Sequence, residues 1–156
     1  MLNDVIKIVE IHLERLKLAS KDIEKLNSFK AIDLNNFEVI KTIDTFIFRF
    51  MKLQDYMGQK LFKVFLDEIG EYRDDMSMID IIDKLEKLKI LDNAEIWLII
   101  RKLRNKLAHE YPESFDEIKE ELMTAIEYYK KMTEIYMNIK NYLKEKGILK
   151  WCGREL

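Results

Sequence analysis

The sequence predicts an all-α fold, and three observations carry that expectation. Only 4 Gly and 1 Pro punctuate 156 residues, too few for the many tight turns of a β-rich chain. Charged residues make up 36% and hydrophobic residues 48%, a balance suited to helices with one buried and one solvated face. Apolar positions recur at three- and four-residue spacing through most of the chain. A chain of this length buries one core and is short for two domains, so residues 1–147 read as a single helical domain and 148–156 as an irregular tail. The expected architecture is an up-and-down bundle of four long helices plus one short helix.

The first helix is expected over residues 3 to 28. Leu2, Ile6, Val9, Leu13, Leu16 and Ile23 line one face, and Asn3 or Asp4 is placed to cap its start. Asp33-Leu34-Asn35-Asn36 is a break followed by a new cap. From Phe37 the positions Ile40, Ile43, Ile47, Phe50, Met57, Leu61 and Val64 continue to Ile69, a rod of roughly 50 Å at 1.5 Å per residue. Gly58 is the point where it would bend. A second stripe, Phe46, Leu53, Phe62 and Phe65, makes this helix apolar around more than half its circumference. Such a face either sits at the centre of its own bundle or packs in part against another chain.

Ser77-Met78-Ile79-Asp80 has capping-box form and opens the short helix, which runs to about Lys89. Its charges, Lys84, Glu86, Lys87 and Lys89, read as a solvated face. Asp92-Asn93-Ala94-Glu95 caps a fourth helix carrying Ile96, Ile99, Ile100, Leu103 and Leu107, and Pro112 ends it near His109 by forcing Tyr111 out of the helical region. Ser114-Phe115-Asp116-Glu117 is a further capping box. Ile118, Leu122, Ala125, Tyr129, Met132, Tyr136, Ile139 and Leu143 then keep helical spacing up to Gly147.

Several function classes lose support from composition alone. The net charge of −2 gives no global attraction to a polyanion, so any nucleic-acid contact must come from a local patch. The lone Cys152 cannot form an intrachain disulfide, which fits a reducing cytoplasm. The N-terminus, with Asp4, Lys7 and Glu10, lacks the basic and apolar regions of a secretory signal. Uncharged apolar runs such as Ile96 to Ile100 fall far short of the roughly 20 residues that a membrane span needs. Gly-rich phosphate loops, paired cysteines and Glu-x-x-His pairs are absent, so no cofactor and no metal are expected. His12 reads as a surface or bundle-edge histidine.

Arg101, Lys102, Arg104 and Lys106 concentrate four positive charges immediately before His109 and Tyr111. This is the one compact basic cluster with a histidine. Cleaving RNA without a metal requires a base for the ribose 2′-hydroxyl, an acid for the leaving oxygen and a cation for the phosphate charge, and His and Arg supply that set. On a helix advancing about 100° per residue, Arg104 and His109 diverge by roughly 140°, whereas Asn105 and His109 share a face. Asn105 is thus placed to orient the imidazole. Arg104 and His109 meet at one phosphate only if the helix end unwinds or if a second copy brings its own pair across a two-fold axis, and the two-fold site is favoured.

The segment Leu103-Arg104-Asn105-Lys106-Leu107-Ala108-His109-Glu110-Tyr111-Pro112 resembles the signature of the HEPN superfamily, in which an Arg is followed after four to six residues by a His. Its extension to His-x-Tyr is similar to the HepT-like toxins paired with minimal nucleotidyltransferase (MNT) antitoxins, and Arg49-Phe50-Met51-Lys52-Leu53-Gln54-Asp55 resembles a further element of that family. The resemblance implies a helical bundle in which Arg104 and His109 form a metal-independent ribonuclease site, supported by Asn105 and completed across a homodimer. Arg101, Lys102 and Lys106 would hold the RNA, tRNA or mRNA. It further implies that the partner uses ATP to attach AMP to Tyr111, an anion that would repel an RNA phosphate. The rival reading is a HEPN module that cleaves nothing and presents substrate to a nucleotidyltransferase. Whether Gln54, Asp55 and Glu95 line the same cleft stays open in the sequence.

Overall fold

A computed structural model describes residues 1–27, 35–109 and 115–149. Among these residues the fold is all-α, with six helices, α1 (Leu2–Asn27), α2 (Phe37–Tyr56), α3 (Phe62–Glu68), α4 (Met78–Lys87), α5 (Ala94–Ala108) and α6 (Phe115–Glu145), and a π-helical turn, Met57–Leu61, joining α2 to α3. Among the described residues no strand occurs, and no helix is long and apolar enough to cross a membrane.

Most helix boundaries follow local chemistry. Asn36 caps α2 by accepting the Glu38 N–H at 3.0 Å, and Asn93 caps α5 by accepting that of Ile96 at 3.1 Å. At the start of α4 the expected capping box is present: the Asp80 N–H donates to Ser77 Oγ at 3.2 Å and the Ser77 N–H donates to Asp80 Oδ2 at 2.9 Å. These bonds hold the Asp80 carboxyl below its ordinary pKa. The first helix departs from expectation, since it begins at Leu2 and places Asn3 and Asp4 in its first turn rather than at its cap. At the C-terminal ends, Gly70 and Gly147 sit at φ +75° and +70°. There the following N–H reaches back five residues, from Glu71 to Leu66 at 2.8 Å and from Ile148 to Leu143 at 2.9 Å. Lys89 closes α4 in the same way with φ 61°, a conformation that costs a residue with a Cβ about 1 kcal/mol.

The rod expected over 37–69 is interrupted at Gly58 by the π-turn, in which the Phe62 N–H donates to the Met57 carbonyl five residues back. Gly58 itself is buried, and a Cβ added there would lie 3.4 Å from the Trp97 ring on α5. The small residue therefore lets two core helices approach. The second apolar stripe of this rod answers the question it raised: Phe46, Leu53, Phe62 and Phe65 are all fully buried within the chain's own core. The rod is central to its bundle, and its wide apolar face gives no argument for a second chain.

Around it, α1 packs on α2, α3 and α6, and α5 packs on α2, α4 and α6. Trp97 fills the space between them with Phe62 edge-on at 4.6 Å, and Phe65 meets Tyr142 at 5.5 Å. Each large apolar side chain of this kind contributes about 1.5–3 kcal/mol on burial. A polar staple crosses the same core: the Glu10 carboxylate on α1 accepts from the Tyr136 hydroxyl at 2.8 Å and from Lys140 Nζ at 3.0 Å, both on α6. Burial, then the hydrogen bond to Glu10 and the charge of that carboxylate, keeps the Tyr136 phenol protonated far above its usual range.

The short helix α4 is less passive than its charges suggest. Lys84 pairs with Glu71 at 3.0 Å, and the Glu86 carboxylate accepts the Ala94 N–H at the start of α5, where an anion also meets the positive end of the helix dipole.

Candidate functional site

Helix α5 presents its apolar side inward through Trp97, Ile100, Leu103 and Leu107. Arg104 lies on the flank of that stripe and turns toward α2. Its Nε donates to Asp55 Oδ1 at 3.2 Å and its Nη2 to Asp55 Oδ2 at 3.1 Å, a two-pronged match that only a guanidinium makes. Two of its five N–H groups are committed there, so three remain to meet an anion. The side chain is 26% exposed and that of Asp55 38%. Arg104 is thus held in place and still reachable from solvent.

Arg101, Lys102, Asn105 and Lys106 are exposed on the outer side of the same helix. The helix ends at Ala108, and His109 is its C-cap, with φ −79° and ψ 155°. Its N–H bonds to the Lys106 carbonyl at 3.2 Å, so the last turn tightens rather than unwinds. Because Ala108 is helical and the φ of His109 is near the helical value, the imidazole leaves the axis in nearly the direction that a helical residue would give it. Only the chain after His109 departs. The divergence of roughly 140° between Arg104 and His109 therefore persists, and Asn105 stays on the histidine's face. The Arg and the His are brought to one end of one helix, on different sides of it. Tyr111, Pro112, Ser114 and Cys152 lie outside the described residues.

Asp55 is the candidate site residue whose role the sequence leaves open. Its partner stands 49 residues away, and the one sequence signal was its place at the end of the segment Arg49-Phe50-Met51-Lys52-Leu53-Gln54-Asp55. Of the two other candidates, Gln54 is buried in the core. Glu95 belongs to the first turn of α5, about 21 Å along the axis from His109 at 1.5 Å per residue. Neither joins Arg104.

Beside Asp55 a groove of 430 Å³ opens between α1 and α2, lined by His12, Phe48, Arg49, Lys52, Asp55 and Tyr56 among others. His12 is half-buried at the bundle edge, its ring 5.7 Å from that of Tyr56. Its pKa is lowered first by burial and then by the charges of Arg49, Arg15 and Lys52. Among the described residues, no three His, Cys, Asp or Glu side chains gather as a metal site would need. Comparison of the chain with protein-family models, with curated proteins and with solved structures gives no match.

Proposed function

We propose that the chain is the toxin of a HEPN/MNT toxin–antitoxin pair: a cytoplasmic, metal-independent endoribonuclease whose bundle is of the HEPN type. The observation that carries this reading is the motif Arg104-x4-His109 at the end of α5, with Arg104 locked by Asp55 and still 26% exposed. In the proposed reaction one histidine takes the proton of a ribose 2′-hydroxyl, which attacks the adjacent phosphorus. The P–O5′ bond breaks, the leaving oxygen gains a proton, and a 2′,3′-cyclic phosphate remains. Arg104 stabilises the extra charge on the phosphoryl oxygens.

Two arguments favour a homodimeric centre. Arg104 and His109 leave their helix on different sides, and a two-fold axis would pair each with its counterpart while supplying one histidine as base and another as acid. Asn105 orients the imidazole, while Arg101, Lys102 and Lys106 hold the flanking tRNA or mRNA phosphates. The MNT partner silences the site by transferring AMP from ATP to Tyr111.

A second reading, a HEPN module that presents substrate to a nucleotidyltransferase without cleaving it, draws on one observation: the Asp55 carboxylate offsets the Arg104 charge, as in a purely structural ion pair. Cleavage of RNA in the presence of a metal chelator decides between them. The toxin reading expects cleavage by the unmodified protein and its loss in Arg104→Ala and His109→Ala; wild-type activity in both variants would refute it. Co-expression with the partner and ATP should add AMP to the intact mass, and Tyr111→Phe should prevent the gain.

A further inference from the structure

Helices α1 and α2 carry a second histidine and a second set of cations, and they use them differently from α5. Along α2, Phe48, Arg49, Lys52, Asp55 and Tyr56 recur at three- and four-residue spacing and so share a face, which meets His12 of α1 across the groove. The Arg49 guanidinium stands 5.1 Å and Lys52 Nζ 5.4 Å from the centre of the Phe48 ring. Among the described residues neither cation has a carboxylate within ion-pair distance. Asp55, the acid in the groove, is already engaged by Arg104, so the remaining field there is positive. Phe48 is 49% exposed, an aromatic side chain open to solvent beside two cations that touch its ring and pair with no carboxylate among the described residues.

We infer that this groove binds single-stranded RNA next to the cleavage centre, with a backbone phosphate between Arg49 and Lys52 and the adjoining base stacked on Phe48. The inference rests on the ribonuclease reading for the identity of its ligand. The chemistry is that of single-strand recognition: cations hold the phosphate without reading sequence, and an aromatic face accepts any base. A protein partner with an acidic segment would use the cations and leave the ring idle. Through Asp55 the groove is joined to Arg104, so a strand lying in it leads toward the motif at the end of α5.

The test is binding of a fluorescent single-stranded RNA to the His109→Ala protein, measured as a function of salt, with cleavage followed separately in chains that keep His109. Lys52 is exposed, so Lys52→Glu disturbs the fold least and accompanies the double variant Arg49→Ala/Lys52→Ala. The double variant should bind more weakly and lower the slope of log affinity against log salt by about 0.7, the value for one neutralised phosphate on a single strand. Phe48→Ala should weaken binding roughly tenfold with the salt slope unchanged. Lys87→Ala, on α4, should change neither.

If Lys52→Glu and the double variant bind and cleave RNA as the parent does, the groove assignment is wrong and the cleavage reading stands. If the protein cleaves nothing yet loses RNA binding in Lys52→Glu, the groove stands and the catalytic assignment falls. Displacement of the RNA by polyglutamate at equal molar charge would overturn the choice of RNA as occupant. Absence of RNA binding in the parent removes both assignments.

Discussion

Among the described residues, two ion pairs join helices far apart in sequence, and they differ in the property that decides what an ion pair does. Lys140 and Glu10 tie α6 to α1 with side chains only 4% and 12% exposed, and Tyr136 completes the carboxylate's shell. Arg104 and Asp55 tie α5 to α2 with side chains 26% and 38% exposed. A buried pair contributes little net stability while intact, because both charges have lost water, yet removing one partner strands the other. A half-exposed pair is replaced by water when broken, so its loss costs little and its groups stay available to a ligand. The first pair belongs to the architecture and the second to the candidate site.

Breaking each pair should separate them by size of effect. Lys140→Ala leaves Glu10 without its cation and should cost about 3–5 kcal/mol of unfolding free energy in urea. The triple replacement Glu10→Leu/Tyr136→Phe/Lys140→Met removes every stranded group and should restore most of that loss. A triple variant as unstable as the single one would show that the staple stabilises through its charges after all.

At the other pair, Asp55→Asn should cost about 1 kcal/mol or less while changing RNA cleavage, because the guanidinium loses its two-pronged anchor. A large loss of stability with unchanged activity would reverse the roles assigned to the two pairs. Smaller still, and of opposite sign, Lys89→Gly should raise stability by about 0.5–1 kcal/mol, since glycine adopts φ 61° without strain.

The smallest effect concerns His12, whose folded pKa lies below its unfolded value of 6.5. A group depressed on folding contributes stability that is present above the unfolded pKa and is lost as pH falls through the folded one. Acidification from pH 7 should therefore destabilise the protein, and His12→Gln should flatten that part of the profile. A profile unchanged by the substitution would place the acid sensitivity elsewhere.

The division between the two regions also marks what the sequence could carry. Helix order, the capping box of Ser77 and Asp80 and the stop near His109 depend on residues within a turn or two of each other, so they are legible in the chain itself. The placement of Arg104, Asn105 and His109 on the last turns of one helix is legible for the same reason. The Asp55–Arg104 pair is not, because nothing local says which acid meets which base across 49 residues. Nor is the groove, since His12 and Lys52 become neighbours only once α1 packs on α2. The π-turn escapes as well: one extra residue in a helical turn barely disturbs the apolar period, and Gly58 signals only a bend. The stripe of Phe46, Leu53, Phe62 and Phe65 was readable as apolar, but whether it faced this chain or another was a question of packing.

The most direct test is cleavage of a single-stranded RNA by the purified, unmodified protein in the presence of EDTA. The products should end in a 2′,3′-cyclic phosphate, with Arg104→Ala and His109→Ala each at least about a hundredfold slower and unchanged in helical content. Retention of the parental rate in both variants would contradict the ribonuclease assignment.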